Sequence, residues 1–258
     1  HYNLTERLEI ETAKLSDHVF TITKALKDIL IENGISESKI TVLPNAVDPS
    51  KFNISKKNKH LEKELDFQNK VVIGYIGSFV EYEGLDLLLE ACAILNKKLG
   101  DCFRLLLVGD GEVMQQLRAS SRFLQLEDIV RFTGRVSHED VNQYYSLIDI
   151  APLPRKGLRV CELVSPLKPF EAMGAGKVLI TSSVQALSEI VEDGETGLIF
   201  QKDDAQDLAD KLELVILDKE LRKQIGINAN KWVTEHHSWD VISKRVIDVY
   251  EKLTEGKK

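Results

Sequence analysis

Short apolar runs alternate along this chain with longer stretches in which apolar residues return every three or four positions. ITVLP (40–44), VVIGYIG (71–77), FRLLLVG (103–109), IVRFTG (129–134), DIAPLP (149–154), KVLIT (177–181) and TGLIF (196–200) read as strands. Most are nearly continuous in apolar residues, as strands covered on both faces of a parallel sheet are. Between them, the stretch 85–98 starts a series in which Leu88, Ala91, Leu95 and Leu99 fall at helical spacing. Further helical patterns run through 111–121, 138–147, 166–175, 205–217 and 239–253. Strand–helix alternation of this kind implies right-handed crossovers and predicts an α/β fold, a doubly wound parallel sheet.

Two regions break the alternation. The first fifty residues hold a helical pattern (LTERLEIETAKL), a strand-like HVFTIT and a second helix (KALKDILIENG) that Gly34 is placed to end. This is too little for a nucleotide-binding half and has the look of the tail end of one. The stretch SKKNKHLEKELDFQNK (55–70) is charged with little apolar periodicity, and it reads as a solvated linker between Phe52 and the strand at Val71.

Composition narrows the function classes. With 43% hydrophobic and 29% charged residues over 258 positions, the chain has the makings of one large domain or two small ones. A net charge of −7 argues against a general nucleic-acid binder, which needs a basic face. Cys92, Cys102 and Cys161 are odd in number and form no close CxxC pair, which speaks against a disulfide framework or zinc site and for a reducing cytoplasm. No apolar run has the length of a bilayer span, and no signal-peptide pattern opens the chain. Peripheral association with the inner face of a membrane stays open.

Ligands of open parallel sheets lie beyond the carboxyl ends of the strands, so the turns there are where chemistry is expected. Gly77 and Ser78 follow one strand, and small residues at that point let backbone N–H groups approach an anion. Gly109, in VGDGE, follows the next strand and shapes its turn. FTGRV brings the main chain of Arg135 and Val136 to the crevice, followed by Ser137 as a helix cap with Asp140 three positions on and an exposed His138. The most specific stretch is RVCELVSPLKPFEAMGAGK (159–177). From Arg155 to Lys177 there are five basic residues (Arg155, Lys156, Arg159, Lys168, Lys177) and two acids, a local reversal of the chain's sign. Ser165 reads as a cap and Pro166 as a first helical residue, so the free N–H groups of a helix start would face the crevice beside Lys168. Glu171, three positions after Lys168, shares its face and suits a ribose diol. At each of these places the plain alternative is a structural turn or a surface Lys–Glu pair.

PNAVDPSKF (44–52), GYIGSFVEYEGLDLLLEA (74–91), LLLVGDGE (105–112), VRFTGRVSHEDVNQYYSLIDI (130–150), PLKPFEAMGAGKVLITS (166–182) and EIVEDGETGLIF (189–200) together resemble a retaining glycosyltransferase of group 1, the family 4 type. The resemblance covers essentially the whole chain in order and spacing. It implies a GT-B architecture, two Rossmann-like domains around a cleft. It also implies a UDP- or GDP-linked sugar as donor, with no resident cofactor or metal, and a glycan or lipid-linked acceptor. What matches is the C-terminal, donor-binding half. Residues 1–53 correspond to a remnant of the N-terminal domain and the passage between domains, 54–235 to the donor domain, and 236–258 to a helix crossing back. The chain is accordingly expected to be a piece of a longer enzyme, inactive without its missing N-terminal domain.

By resemblance, Glu171 takes the ribose, while Pro166, Leu167 and Lys168 sit at the diphosphate with Gly77, Ser78, Gly109, Arg135 and Val136 around the donor. Glu162 and Arg155 are the catalytic candidates. Two departures stand out. Where the family often carries a basic pair after the first donor-domain strand, this chain has Ser78 and Glu83, so Arg155 and Lys168 become candidates for the missing charge. The family's paired glutamates are eight positions apart, and eight before Glu171 is Leu163, with Glu162 one residue off. A non-catalytic nucleotide-sugar-binding or scaffold module is the alternative those departures motivate. A sugar-nucleotide epimerase of the same architecture ranks behind both.

Overall fold

The structure, a computed structural model, describes residues 2–255 and contains two parallel sheets. A small unit comes first: α1 (Tyr2–Leu15), β1 (Val19–Thr21), α2 (Lys24–Glu32) and β2 (Ile40–Val42). Its two strands pair in parallel, and Ala13, Ile35 and Ile40 form its core with Val19 and Leu30. Helix α2 ends as its sequence predicts. Gly34 N–H bonds to Ile31 O and Ile35 N–H to Leu30 O, a Schellman closure with Gly34 at φ +86°.

The large unit follows: α3 (Lys59–Glu64), β3 (Val71–Ile76), α4 (Leu85–Leu99), β4 (Phe103–Val108), α5 (Met114–Phe123), β5 (Val130–Gly134), α6 (Val141–Leu147), β6 (Ile150–Leu153), α7 (Arg159–Leu163), α8 (Lys168–Gly174), β7 (Val178–Ser182), α9 (Gln185–Ser188), β8 (Leu198–Phe200), α10 (Ala205–Leu217), α11 (Lys219–His236) and α12 (Trp239–Glu255). Its six strands lie in the order β5-β4-β3-β6-β7-β8, all parallel. The doubly wound α/β sheet expected from the apolar runs is therefore present, and its order reverses direction between β3 and β6. The runs are apolar throughout because both faces are covered: every residue of β4, β6 and β7 is buried.

Besides the short helices α7 and α9, which no apolar pattern predicts, three elements differ from expectation. The charged stretch 55–70 is docked and carries α3. Asn58 caps that helix by accepting from Leu61 N–H at 3.1 Å, Phe67 is wholly buried, and Lys57 pairs with Asp149 at 2.9 Å. Three apolar residues, Leu61, Leu65 and Phe67, are enough to hold it to the core. Helix α11 has no counterpart among the helical patterns read above. Its buried face consists of Ile225, Gly226, Ala229 and Val233, two of them too small to register as an apolar stripe. Helix α8 begins at Lys168, not at Ser165–Pro166. The proline in its first turn is Pro169, and the Ser165 hydroxyl donates to Pro166 O at 3.3 Å instead of capping the helix.

Several contacts tie the two units. Thr23 caps α2 through Leu26 N–H and donates its hydroxyl to Leu163 O at 2.7 Å. The Glu189 carboxylate accepts from Lys24 and Ala25 N–H at 2.8 and 3.1 Å, supplying a negative charge to the start of α2. At another point the chain leaving β2 meets the chain entering α12: Val47 N–H donates to His237 O at 2.8 Å and Trp239 N–H to Val47 O at 3.3 Å. The His237 ring stacks on Trp232 and lies 5.0 Å from the ring of Phe170 in α8. No helix among the described residues is long and apolar enough to cross a membrane.

Gly226 sets how closely α11 approaches the turn between α8 and β7. A Cβ at Gly226 would fall 2.5 Å from the backbone oxygen of Gly176. Overpacking against a backbone atom costs about 1–3 kcal/mol, and replacing a helical glycine by alanine recovers at most about 1 kcal/mol. The clash dominates, so Gly226→Ala should lower the urea midpoint with an unchanged m-value, despite the better helix propensity.

Candidate functional site

Because strand order reverses between β3 and β6, the connections leaving them diverge, and a crevice opens above their carboxyl ends. Two glycine turns form one wall. Gly77 N–H donates to Val108 O at 2.9 Å, and Phe79 N–H donates to Asp110 O at 2.9 Å. The turns after β3 and β4 are pressed so close that a Cβ on Gly109 would lie 1.9 Å from Gly77 O. Ser78 is exposed beyond this point, and its carbonyl accepts from the Tyr75 hydroxyl at 3.0 Å.

A buried charge cluster lies at the base of the crevice. Glu83, 2% exposed, accepts at one oxygen, Oε1, from Arg155 Nη2 at 2.9 Å and Lys168 Nζ at 3.0 Å. Burial works to raise the Glu83 carboxyl, but the Lys168 and Arg155 charges outweigh it and hold the group below the usual glutamate value. Arg155, 7% exposed, also donates to Val164 O at 2.8 Å and lies over the Tyr82 ring. Glu83 Oε2 and Arg155 Nε have no hydrogen-bond partner among the described residues. Lys168 is 20% exposed and crosses the Gly77 turn over the face of Tyr75; a Cβ on Gly77 would fall 2.3 Å from Lys168 Cε.

One turn along α8 stands Glu171, half-buried, which accepts from the Tyr145 hydroxyl at 3.3 Å. Burial pushes its carboxyl above the usual value, with Tyr145, His138 and Lys168 pulling the other way. Burial beside Glu171 likewise keeps the Tyr145 phenol protonated. A desolvated carboxylate of this kind has acceptor capacity left for hydroxyl groups. Pro166 and Leu167 lead into α8, Leu167 is exposed, and Asn45 donates to Ser165 O at 2.8 Å.

The remaining candidates lie as follows. Arg135 is exposed, while Val136 packs against the core. Ser137 and Asp140 form their reciprocal bonds, Oγ to Oδ2 at 2.7 Å and N–H to Oγ at 3.2 Å, just ahead of α6. Glu162 is committed to internal partners, Lys202 at 2.5 Å and Gln185 N–H at 2.7 Å, and it ties α7 to the start of α9. Glu162, one of the two catalytic candidates, therefore has both carboxylate oxygens engaged inside the protein. Arg155, the other catalytic candidate, does reach the crevice, but as a buried partner of Glu83. Nor does the basic run from Arg155 to Lys177 make a positive patch. Lys156 pairs with Asp86 at 2.7 Å and Arg159 with Glu6 at 3.8 Å. Lys177, buried near Asp149, precedes β7 at the opposite end of the sheet, where desolvation lowers it to about 8. A separate cavity of about 480 Å³ lies outside the turns between Glu81, Asp86, Glu112 and Lys156, and its acidic lining does not suit an anion.

A family model described as "Glycosyl transferases group 1" matches residues 56–232, and one described as "Glycosyltransferase Family 4" matches residues 2–51. The capsular polysaccharide biosynthesis glycosyltransferase CapM of Staphylococcus aureus is 30% identical over 252 residues, covering 93% of this chain and 63% of CapM. An uncharacterized glycosyltransferase of Methanocaldococcus jannaschii is 25% identical over 240 residues, 93% of this chain and 59% of that protein. The chain spans about three fifths of the length of the curated relatives it matches. Among solved structures, Anabaena HepE in complex with UDP and glucose superposes with a TM-score of 0.81 at 21% identity, covering 95% of this chain and 66% of that one.

Burial raises the Glu171 carboxyl on folding, so folding carries the cost of desolvating its charged form. As pH falls through the carboxylate range the folded protein takes up the proton first, so the cost fades. Glu171→Gln should therefore melt above the wild type at pH 7.5, and the difference should close on titration to acid, as followed by thermal melts across that range.

Proposed function

This chain belongs to the group 1 glycosyl transferases, and on that premise we propose that it is the donor-binding half of a retaining enzyme that moves a hexose from a UDP- or GDP-sugar to a glycan or lipid-linked acceptor. The observation that carries the reading is the placement of Lys168 across the Gly77 turn at the strand-order switch, one helical turn ahead of Glu171. In this reading the diphosphate lies over Gly77 and Gly109, where the backbone can come within bonding distance. Glu171 takes the ribose hydroxyls, with Tyr145 fixing one of its oxygens. The base is held along the main chain of Arg135 and Val136.

As the bond from sugar to diphosphate breaks, negative charge grows on the leaving oxygen, and the Lys168 ammonium is the group positioned to stabilise it. The cationic work is assigned to side chains, with no resident cofactor. Retention is assigned to delivery of the acceptor hydroxyl from the leaving group's own face. The acceptor is bound by a partner N-terminal domain, to which the small unit corresponds and toward which α12 crosses back, and the isolated donor half would turn over little. Work at the inner face of a membrane, on a lipid-linked acceptor, fits this reading.

A second reading, a binding module without turnover, draws on the internal commitment of Glu162 and on Leu163 at the position eight before Glu171. Donor-hydrolysis and transfer assays on the longer protein separate the two.

Calorimetry of this chain with UDP and GDP should give saturable binding of at least one. Glu171→Gln should weaken it by about 1.5–3 kcal/mol, the scale of a charge-assisted hydrogen bond. Lys168→Ala should weaken it as well, whereas Glu162→Gln should change it by less than about 0.5 kcal/mol, as a substitution away from the site does. A larger effect at Glu162 than at Glu171 would overturn the assignment of roles.

A further inference from the structure

We propose that Glu83 is an internal counter-anion that competes with the donor's diphosphate for Lys168, and that it thereby sets how tightly the donor and the departing nucleotide are held. The inference rests on the donor-site reading above and adds a residue that reading does not use.

The geometry separates the two cations that share Glu83. Arg155 is fixed: it is almost wholly buried, bonded to Val164 O as well as to Glu83, and packed over Tyr82. Lys168 is the partner that can leave. Its bond to Glu83 Oε1 and its place over the Tyr75 ring hold it across the Gly77 turn, and it retains access to the crevice. The groups facing Glu83 are Tyr75 from β3, Tyr82 beside it, Arg155 after β6, Cys161 from α7 and Lys168 from α8. One carboxylate thus faces two cations.

A diphosphate arriving over Gly77 finds the Lys168 ammonium already engaged. To bond it, the ligand must draw Nζ away from Glu83, exchanging one charge-assisted bond for another instead of gaining one outright. The carboxylate left behind keeps Arg155, and its negative charge stays beneath the phosphates in a region of low polarity. Both consequences reduce nucleotide affinity. They also promote release of the nucleotide after transfer, because Glu83 reclaims Lys168 as the product leaves. Oε2, which has no hydrogen-bond partner among the described residues, leaves the carboxylate bonding capacity beyond its fixed partner.

The test is calorimetry with UDP, UMP, GDP and GMP on the wild type, Glu83→Gln, Lys168→Ala and the double variant. Removing the charge should tighten the diphosphate nucleotide by roughly fivefold or more, with a smaller gain for the monophosphate. Lys168→Ala should cost more in the Glu83→Gln background than in the wild type, because the lysine is then free to give its full bond. A folded Glu83→Gln protein that binds the diphosphate no more tightly than the wild type overturns the proposal and leaves the donor site intact. Should that variant fail to fold, Glu83→Asp replaces it, since its carboxylate, one methylene shorter, keeps a charge in the cluster while weakening the contact at the Oε1 position that Arg155 and Lys168 share. Absence of tightening there overturns the proposal equally. If neither the wild type nor any variant binds UDP or GDP, the donor-site reading falls and this inference with it.

Discussion

Two adjacent parallel strands whose connections leave toward opposite edges cannot close the space above their carboxyl ends. In this chain that constraint falls between β3 and β6, and the rest of the site is arranged around it. The Gly77 and Gly109 turns come from one side of the reversal, and Arg155, Lys168 and Glu171 come from the other. Segments about ninety positions apart in sequence therefore face each other across one gap, as the Glu83–Lys168 separation of 85 positions illustrates. The sheet beneath can hold this arrangement because its central strands are buried on both faces and have little freedom to shift.

The sign of the site follows from folding more than from composition. Five bases against two acids between Arg155 and Lys177 suggest a cationic surface, yet in space all five have a carboxylate partner or neighbour outside that stretch: four are paired, and Lys177 is buried away from the crevice near Asp149. A linear charge count cannot register a partner that returns from eighty residues away. What survives at the crevice is one adjustable ammonium above one buried carboxylate, a finer balance than a patch of uniform sign.

The fold could be read from apolar periodicity almost entirely, because six buried strands write long apolar runs. The exceptions have physical causes. Helix α11 packs through Gly226 and Ala229, and small residues that permit close approach leave no hydrophobic stripe. The segment 55–70 is anchored by three apolar side chains among many charges, so its surface dominates its composition. Between Ser165 and Pro169 the sequence has a serine and two prolines, and the helix forms around the later proline, with Phe170 buried directly behind it. At the site, Lys168 and Glu171 stand where their spacing placed them, one turn apart on α8. Glu83, by contrast, could be noticed only as a departure from a pattern; its partners are set by tertiary structure, as is the turning of Glu162 toward Lys202.

The joint between the two units has a mechanical meaning. The chain passes from the small unit to the large one at residues 43–47, and the segment 237–239 that leads into α12 is hydrogen-bonded to this passage through Val47. Two strands of a linkage fastened side by side act as a single pivot, so rotation of the small unit would turn about one line instead of sliding along a face. The His237 ring puts that line beside Phe170 in α8, the helix that carries Lys168 and Glu171. Points near an axle travel least. A swing of the small unit would break the Thr23–Leu163 and Lys24–Glu189 bonds, whose Thr23, Lys24 and Glu189 line the same pocket as Pro44 and His237, yet leave the two side chains on α8 almost where they stand.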